Sequence, residues 1–148
     1  MTTPNTLSDD EIQELRAAAG TMVPASRAHG VPGADDDLIF ADILRSLGRD
    51  LADVRVALAE LRVSAGGKLG ALDIDRREHV IGRVLGNGSR SSAALSRAVL
   101  QCYYRDDRVV LSLGLEARPP FPKGHTLEQG DWSLLDVVKQ RAPFWRDA

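Results

Sequence analysis

Apolar residues recur at helical spacing along most of the chain. The longest pattern advances in steps of four and three, which places one apolar stripe along about six turns of helix. Its members are Phe40, Leu44, Leu47, Leu51, Val54, Leu58 and Leu61. Gly48 is the position at which such a helix would bend. Coiled-coil seams have the same spacing, but a chain of 148 residues needs this stripe for its own core, and we interpret it so.

Signals for helix starts precede the apolar patterns. Ser8 and Glu11 form a capping box before the first predicted helix, which ends before Pro24. The carboxylates at positions 35–37 precede the long stripe, where acidic residues complement the helix dipole. A calcium site is the weaker interpretation of these carboxylates, because calcium loops spread their ligands over about twelve residues.

Three shorter helices are predicted downstream. Asp75 with Glu78 suggests a second capping box, Ser91 or Ser92 caps the next helix, and Asp106 or Asp107 opens the last one before Gly114. In the middle one of these three, Leu95, Val99 and Tyr103 are expected to face inwards. No alternating strand pattern occurs, so the sequence predicts an all-α fold, a small bundle of about five helices.

The last part of the chain differs in composition. Six of the seven aromatic residues follow residue 100, and four of the seven prolines lie in the last thirty residues. We therefore predict a helical domain of residues 1–117 and an extended, Pro/aromatic-rich docking tail of residues 118–148, within one structural unit. The tail could cover its own core or lie along another protein. A core poor in aromatic residues favours the partner.

Charge and composition exclude several classes of function. A net charge of −2 provides no broad basic field, so neither nucleic acid nor insertion into a membrane is expected. The apolar runs are far shorter than the roughly 20 residues that span a bilayer. The N-terminus has no export signal, which predicts a cytoplasmic location, or a periplasmic one only by export together with a partner.

Candidate chemistry is sparse. Cys102 is the single cysteine, and the three histidines (His29, His79 and His125) lack metal-ligand spacing. His79 is expected to face solvent. CxxCH and GxGxxG motifs are absent, so we predict no catalytic, cofactor-binding or metal residues in this chain. The cluster of Arg105, Asp106, Asp107 and Arg108 suits helix capping, with recognition as the alternative. A free-standing small enzyme or ligand-binding module with a pocket near Tyr104, His125 and Asp131 is the competing hypothesis for the whole chain.

Several short segments resemble one family. They are residues 7–16 (Leu-Ser-Asp-Asp-Glu-Ile-Gln-Glu-Leu-Arg), 22–24 (Met-Val-Pro), 32–35 (Pro-Gly-Ala-Asp) and 101–107 (Gln-Cys-Tyr-Tyr-Arg-Asp-Asp), followed by Gly114. They resemble the gluconate 2-dehydrogenase small-subunit (subunit 3) family. Residues 118–122 (Arg-Pro-Pro-Phe-Pro) and 130–136 (Gly-Asp-Trp-Ser-Leu-Leu-Asp) resemble the tails of small partners of glucose–methanol–choline-type flavoproteins.

The resemblance implies a non-catalytic accessory subunit that binds and stabilises a larger FAD-dependent sugar or alcohol dehydrogenase. FAD would be held by the large subunit, and a cytochrome or another acceptor would take the electrons. Many such small subunits carry a twin-arginine export signal, which this chain lacks.

The expected partner-binding residues lie between Tyr103 and Trp145. The apolar anchors would be Tyr103, Tyr104, Phe121, Trp132 and Trp145, with Arg118 and Asp131 as polar orienters. Gly124 and Gly130 would let the backbone turn. The remaining members of this surface are Pro119, Pro120, His125, Leu134 and Leu135.

Overall fold

The computed structural model describes residues 6–118, 124 and 128–142. Within these residues the regular structure is helical, which confirms the all-α prediction. Six α-helices lie in the first part: α1 (Asp9–Met22), α2 (Asp37–Ser46), α3 (Leu51–Ala65), α4 (Ile74–Leu85), α5 (Arg90–Tyr103) and α6 (Asp107–Ser112). The seventh, α7 (Asp136–Lys139), lies near the C-terminus. The expected number of about five helices was therefore too low.

The long apolar stripe belongs to two helices, not one. Between α2 and α3 lies a 3₁₀ turn, Gly48–Asp50, and Gly48 takes a φ of +38°, a conformation that glycine adopts most easily. Phe40 and Leu47 on one side of this break are buried, as are Val54 and Leu61 on the other. The core interpretation of the stripe is thus confirmed, and the turn lets both halves face the same core.

Helix α3 packs against α1, α4 and α5. Among the described residues, the core around it consists mainly of aliphatic side chains, with two rings, Phe40 and Tyr103. Full burial of one Leu, Ile or Phe side chain stabilises the fold by about 1.5–3 kcal/mol. One carboxylate enters this interior: Glu14 of α1 is buried and accepts a 2.8 Å hydrogen bond from the backbone N–H of Leu69, in the 3₁₀ turn Leu69–Ala71.

Three of the predicted helix starts are confirmed, the third being Asp106 at α6. Ser8 and Glu11 form the reciprocal capping box of α1, with a 2.7 Å bond from the Ser8 N–H to the Glu11 carboxylate. Asp36 caps α2 by accepting from the N–H groups of Leu38 and Ile39, which confirms the helix-start interpretation of the acidic run.

Two other starts were wrong by two or three residues. The cap of α4 is Asp73 rather than Asp75, and it accepts from the Arg76 N–H. The cap of α5 is Ser89 rather than Ser91 or Ser92. Ser92 lies in the first turn of α5, buried, and donates its hydroxyl to the carbonyl of Val84 at 2.8 Å. That bond ties the start of α5 to the end of α4.

The contacts of the chain define two compact units, Met1–Ala117 and Arg118–Ala148. In the second unit a 3₁₀ turn, Trp132–Leu135, runs directly into α7. The prediction of an extended tail is therefore wrong for residues 132–139. Most of the proline-rich run, residues 119–123, lies outside the described residues. No helix of the described ranges is long and apolar enough to cross a membrane.

Candidate partner-binding surface

The two adjacent tyrosines at the end of α5 have different environments. Tyr103 is 5 % exposed and belongs to the core, whereas Tyr104 is 55 % exposed. Their rings meet edge to face, with centroids 5.2 Å apart. Tyr103 thus packs against the Tyr104 ring, and almost none of the Tyr103 side chain is exposed. The expectation that Tyr103 is a surface anchor is corrected accordingly, and Tyr104 is the exposed ring of the pair.

The charged residues that follow the tyrosines join α5 and α6 to α2. The guanidinium of Arg105 donates to the Asp42 carboxylate at 2.8 and 2.6 Å and to the Ser46 hydroxyl at 2.6 Å. Burial alone would raise the pKa of Asp42, but the hydrogen bond and charge of Arg105 outweigh it and hold that pKa below its usual value. Burial raises the pKa of the neighbouring Cys102 thiol, as expected for an unreactive core cysteine.

Arg108 forms a second link of the same kind. It donates to Asp106 at 2.9 Å and to Asp36, the cap of α2, at 2.7 Å. Its hydrogen bonds lower the pKa of both carboxylates. Asp106 also accepts from the Arg108 backbone N–H as the cap of α6, so the capping interpretation of this cluster is confirmed. The cluster fixes α2 against the α5–α6 corner that carries Tyr104.

Exposed aliphatic side chains follow this corner. Leu111, Leu113 and Leu115 are each more than half exposed, at the end of α6 and just beyond it. Gly114 between them has a φ of +74°, as expected for the residue that stops the helix. These leucines were absent from the predicted surface. Leu111 departs from the inward-facing helical spacing, but Leu113 follows the buried Val109 by four residues and is exposed because α6 ends at Ser112.

The second unit exposes more apolar surface. Trp132, Leu134, Leu135, Val137 and Val138 are between 42 % and 74 % exposed. Asp131 caps this segment, because its carboxylate accepts from the Ser133 N–H at 3.0 Å and the Ser133 hydroxyl at 2.6 Å. Large apolar side chains clustered on a surface mark an interaction site more often than scattered single ones do.

The other predicted surface residues have local roles or fall outside the described ranges. Arg118 donates to the Gly124 carbonyl at 3.0 Å, and Gly124 has a φ of +65°, where glycine is favoured. Gly130 has no positive φ, so its backbone does not require glycine. Five predicted residues lie outside the described residues: Pro119, Pro120, Phe121, His125 and Trp145.

Side chains suited to metal binding are dispersed in the described part of the chain. It contains no group of three or more His, Cys, Asp or Glu residues that could hold a metal ion. In the acidic run, Asp36 is engaged by Arg108, and Asp37 pairs with Arg16 at 2.9 Å. His79 is exposed, as expected.

Comparison of the chain with protein-family models, curated proteins and solved structures gives no match. The exposed side chains and the resemblance of the short segments are therefore the basis for a functional proposal.

Proposed function

We propose that this chain is a non-catalytic accessory subunit that binds and stabilises a larger FAD-dependent dehydrogenase acting on a sugar or another alcohol. The observation that supports it most is the cluster of exposed apolar side chains from Trp132 to Val138. Full burial of an exposed Leu or Val side chain contributes about 1.5–3 kcal/mol. A partner that covers this cluster would therefore gain hydrophobic binding energy. Tryptophan is among the residues most enriched at the energetic centres of interfaces.

The helical unit has a separate role in this proposal. Its core, from Leu7 to Val109, contains none of the exposed residues of the second unit. The links from Arg105 and Arg108 to α2 keep the α5–α6 corner rigid, which lowers the entropic cost of binding there. Tyr104 and the three exposed leucines at this corner would form a second contact area on the same partner.

The kind of partner comes from the sequence resemblance. A glucose–methanol–choline-type flavoprotein would hold FAD and abstract hydride, and this chain would supply no cofactor ligand. The complex would be cytoplasmic, or periplasmic by export together with the large subunit.

Co-expression with the neighbouring large reading frame tests the proposal. The complex should co-elute in size-exclusion chromatography, with absorbance at 450 nm from bound flavin, at several times the 16.0 kDa mass of this chain. Expression of the large chain alone should give less folded flavoprotein. Elution of this chain alone and colourless, with an unaffected large chain, would refute the proposal.

A further inference from the structure

Helix α3 has a second apolar stripe, on the side opposite to the one that it buries. Its buried side consists of Val54, Ala57, Leu58 and Leu61. The outward stripe consists of Ala52, Val56, Ala59 and Val63, which are all exposed. At about 100° per residue the outward four fall within an arc of about 60°, centred about 180° from the buried four. The outward side of a surface helix is normally polar, so this stripe requires another explanation than the chain's own core.

The outward stripe has the spacing of a coiled-coil seam. Its members follow one another in steps of four, three and four residues, with alanine and valine alternating. This spacing places Val56 and Val63 at the a positions, where parallel two-stranded coiled coils favour β-branched residues. Val56 is 51 % and Val63 83 % exposed, so both side chains are available to another helix. Alanine at the intervening d positions lets two backbones approach closely.

Charged residues border this seam, with one sign on each side. Asp53 and Glu60 lie about 70–90° from the centre of the seam in one direction, and Arg55 and Arg62 lie as far in the other. Antiparallel pairing with a second copy would place acidic residues against acidic ones and arginines against arginines. Parallel pairing places the acidic border of each copy beside the arginine border of the other, with Arg55 opposite Glu60. The charges therefore complement a second copy in one orientation only.

The Glu60 carboxylate has unused capacity to accept a hydrogen bond. One of its oxygens accepts from the Ser91 hydroxyl at 3.3 Å, whereas Oε2 is buried and has no hydrogen-bond partner among the described residues. Buried polar atoms without a partner are uncommon. The Glu60 side chain is partly exposed, so a rotation presents Oε2 to a donor on a second copy. Arg55 of that copy is the donor that the parallel register places there, in addition to its 3.1 Å bond to Glu11 of its own chain.

We infer that two copies of this chain associate through α3, with the two helices parallel and related by a two-fold axis along the seam. From Ala52 to Val63 the seam is about 16 Å long. A seam of this length buries less than the roughly 800 Å² per partner of a standard interface, so the dimer belongs to the weak class. We expect a Kd on the order of 10–100 µM. The inference goes beyond the proposed function and does not depend on it, because it concerns this chain by itself.

Sedimentation equilibrium of the full-length chain, from about 5 to about 500 µM, measures the association. The wild type should shift from 16.0 kDa towards twice that mass. Val56→Glu/Val63→Glu brings two pairs of like charges together in the seam and should raise the dimer Kd at least about 100-fold. Its control, Leu38→Glu/Leu111→Glu, makes the same change at exposed positions of α2 and α6 and should change Kd by less than about threefold. Both variants should keep the wild-type melting temperature, because all four side chains are exposed.

Cysteine variants test the orientation and remain informative if a glutamate variant unfolds. In the parallel dimer Ala52→Cys faces its own counterpart and should form a disulfide-linked dimer under mild oxidation. In an antiparallel dimer it would face Val63. An equal mixture of Ala52→Cys and Val63→Cys should therefore give two homodisulfides and little of the mixed disulfide, as determined by mass spectrometry of the linked peptides. The wild type is the control, because its Cys102 is buried and should not cross-link.

Each outcome supports or overturns the inference. A wild type that stays monomeric at every concentration overturns it. Equal weakening by the two double-glutamate variants would show non-specific association of apolar surface and would also overturn it. Predominance of the mixed disulfide would show that parallel pairing is wrong. Because every measurement uses this chain alone, these results leave the flavoprotein proposal untouched, and failure to bind a flavoprotein would leave the dimer untouched.

Discussion

Removal of the second unit should separate folding from binding. A chain truncated after Ala117 retains every buried core residue of the part that the structure describes, from Leu7 to Val109. Each of the residues 128–142 is exposed. Changes confined to exposed positions usually alter stability by less than about 1 kcal/mol. For a unit of this size we expect a shift in melting temperature of at most about 5 °C.

The assay is urea unfolding followed by circular dichroism at 222 nm, which reports the six helices of the first unit and does not depend on the deleted tryptophans. Full-length Phe40→Ala is the matched control. Phe40 is 1 % exposed, and truncation of a buried Phe costs about 3–5 kcal/mol, which shows that the assay detects damage to the core. The truncated chain should unfold near the wild-type midpoint and should no longer co-elute with the flavoprotein.

One result would refute this reasoning. If truncation after Ala117 abolishes cooperative unfolding, or costs as much as Phe40→Ala, then the C-terminal residues cover the chain's own core. The tail would be a structural cap rather than a docking element. If the truncated chain is stable and still binds the flavoprotein, the binding surface is the corner that carries Tyr104 and the three exposed leucines.

Two further predictions concern the helical unit. Ser8→Ala removes the hydroxyl that accepts from the Glu11 N–H and should lower the free energy of unfolding by about 1 kcal/mol, measured by urea titration; an unchanged midpoint would contradict the capping box. The second concerns pH. Because Arg108 depresses the folded-state pKa of Asp36 and Asp106, their contribution to stability is present above about pH 4, the unfolded value, and is lost as the pH falls through the lower folded values. Arg108→Leu should therefore reduce the drop in the urea unfolding midpoint between pH 5 and pH 3. If the midpoints of the wild type and the variant fall by the same amount over this range, this pairing contributes nothing to stability.

The candidate surface could be predicted only in part. The assignment of Trp132, Leu134 and Leu135 to a surface could be predicted, because they lie in a proline-rich segment outside every core stripe. The spacing of Leu95, Val99 and Tyr103 also predicted that Tyr103 faces inwards, which the structure confirms. The choice of Tyr103 as a surface anchor conflicted with that spacing. The helical form of residues 132–139 was missed because the neighbouring prolines indicate extended backbone.

The sequence by itself determined the features that depend on local hydrogen bonds and on the spacing of apolar residues. The capping box of Ser8 and Glu11 joins groups three residues apart, and the inward faces of the helices follow from the 3.6-residue period. Only the tertiary structure decided features that need distant partners. Arg105 reaches Asp42 across 63 positions of the chain, and Arg108 reaches Asp36 across 72. At Gly48 the sequence predicted a bend, whereas the division of the stripe into two separate helices was decided by packing against one compact core.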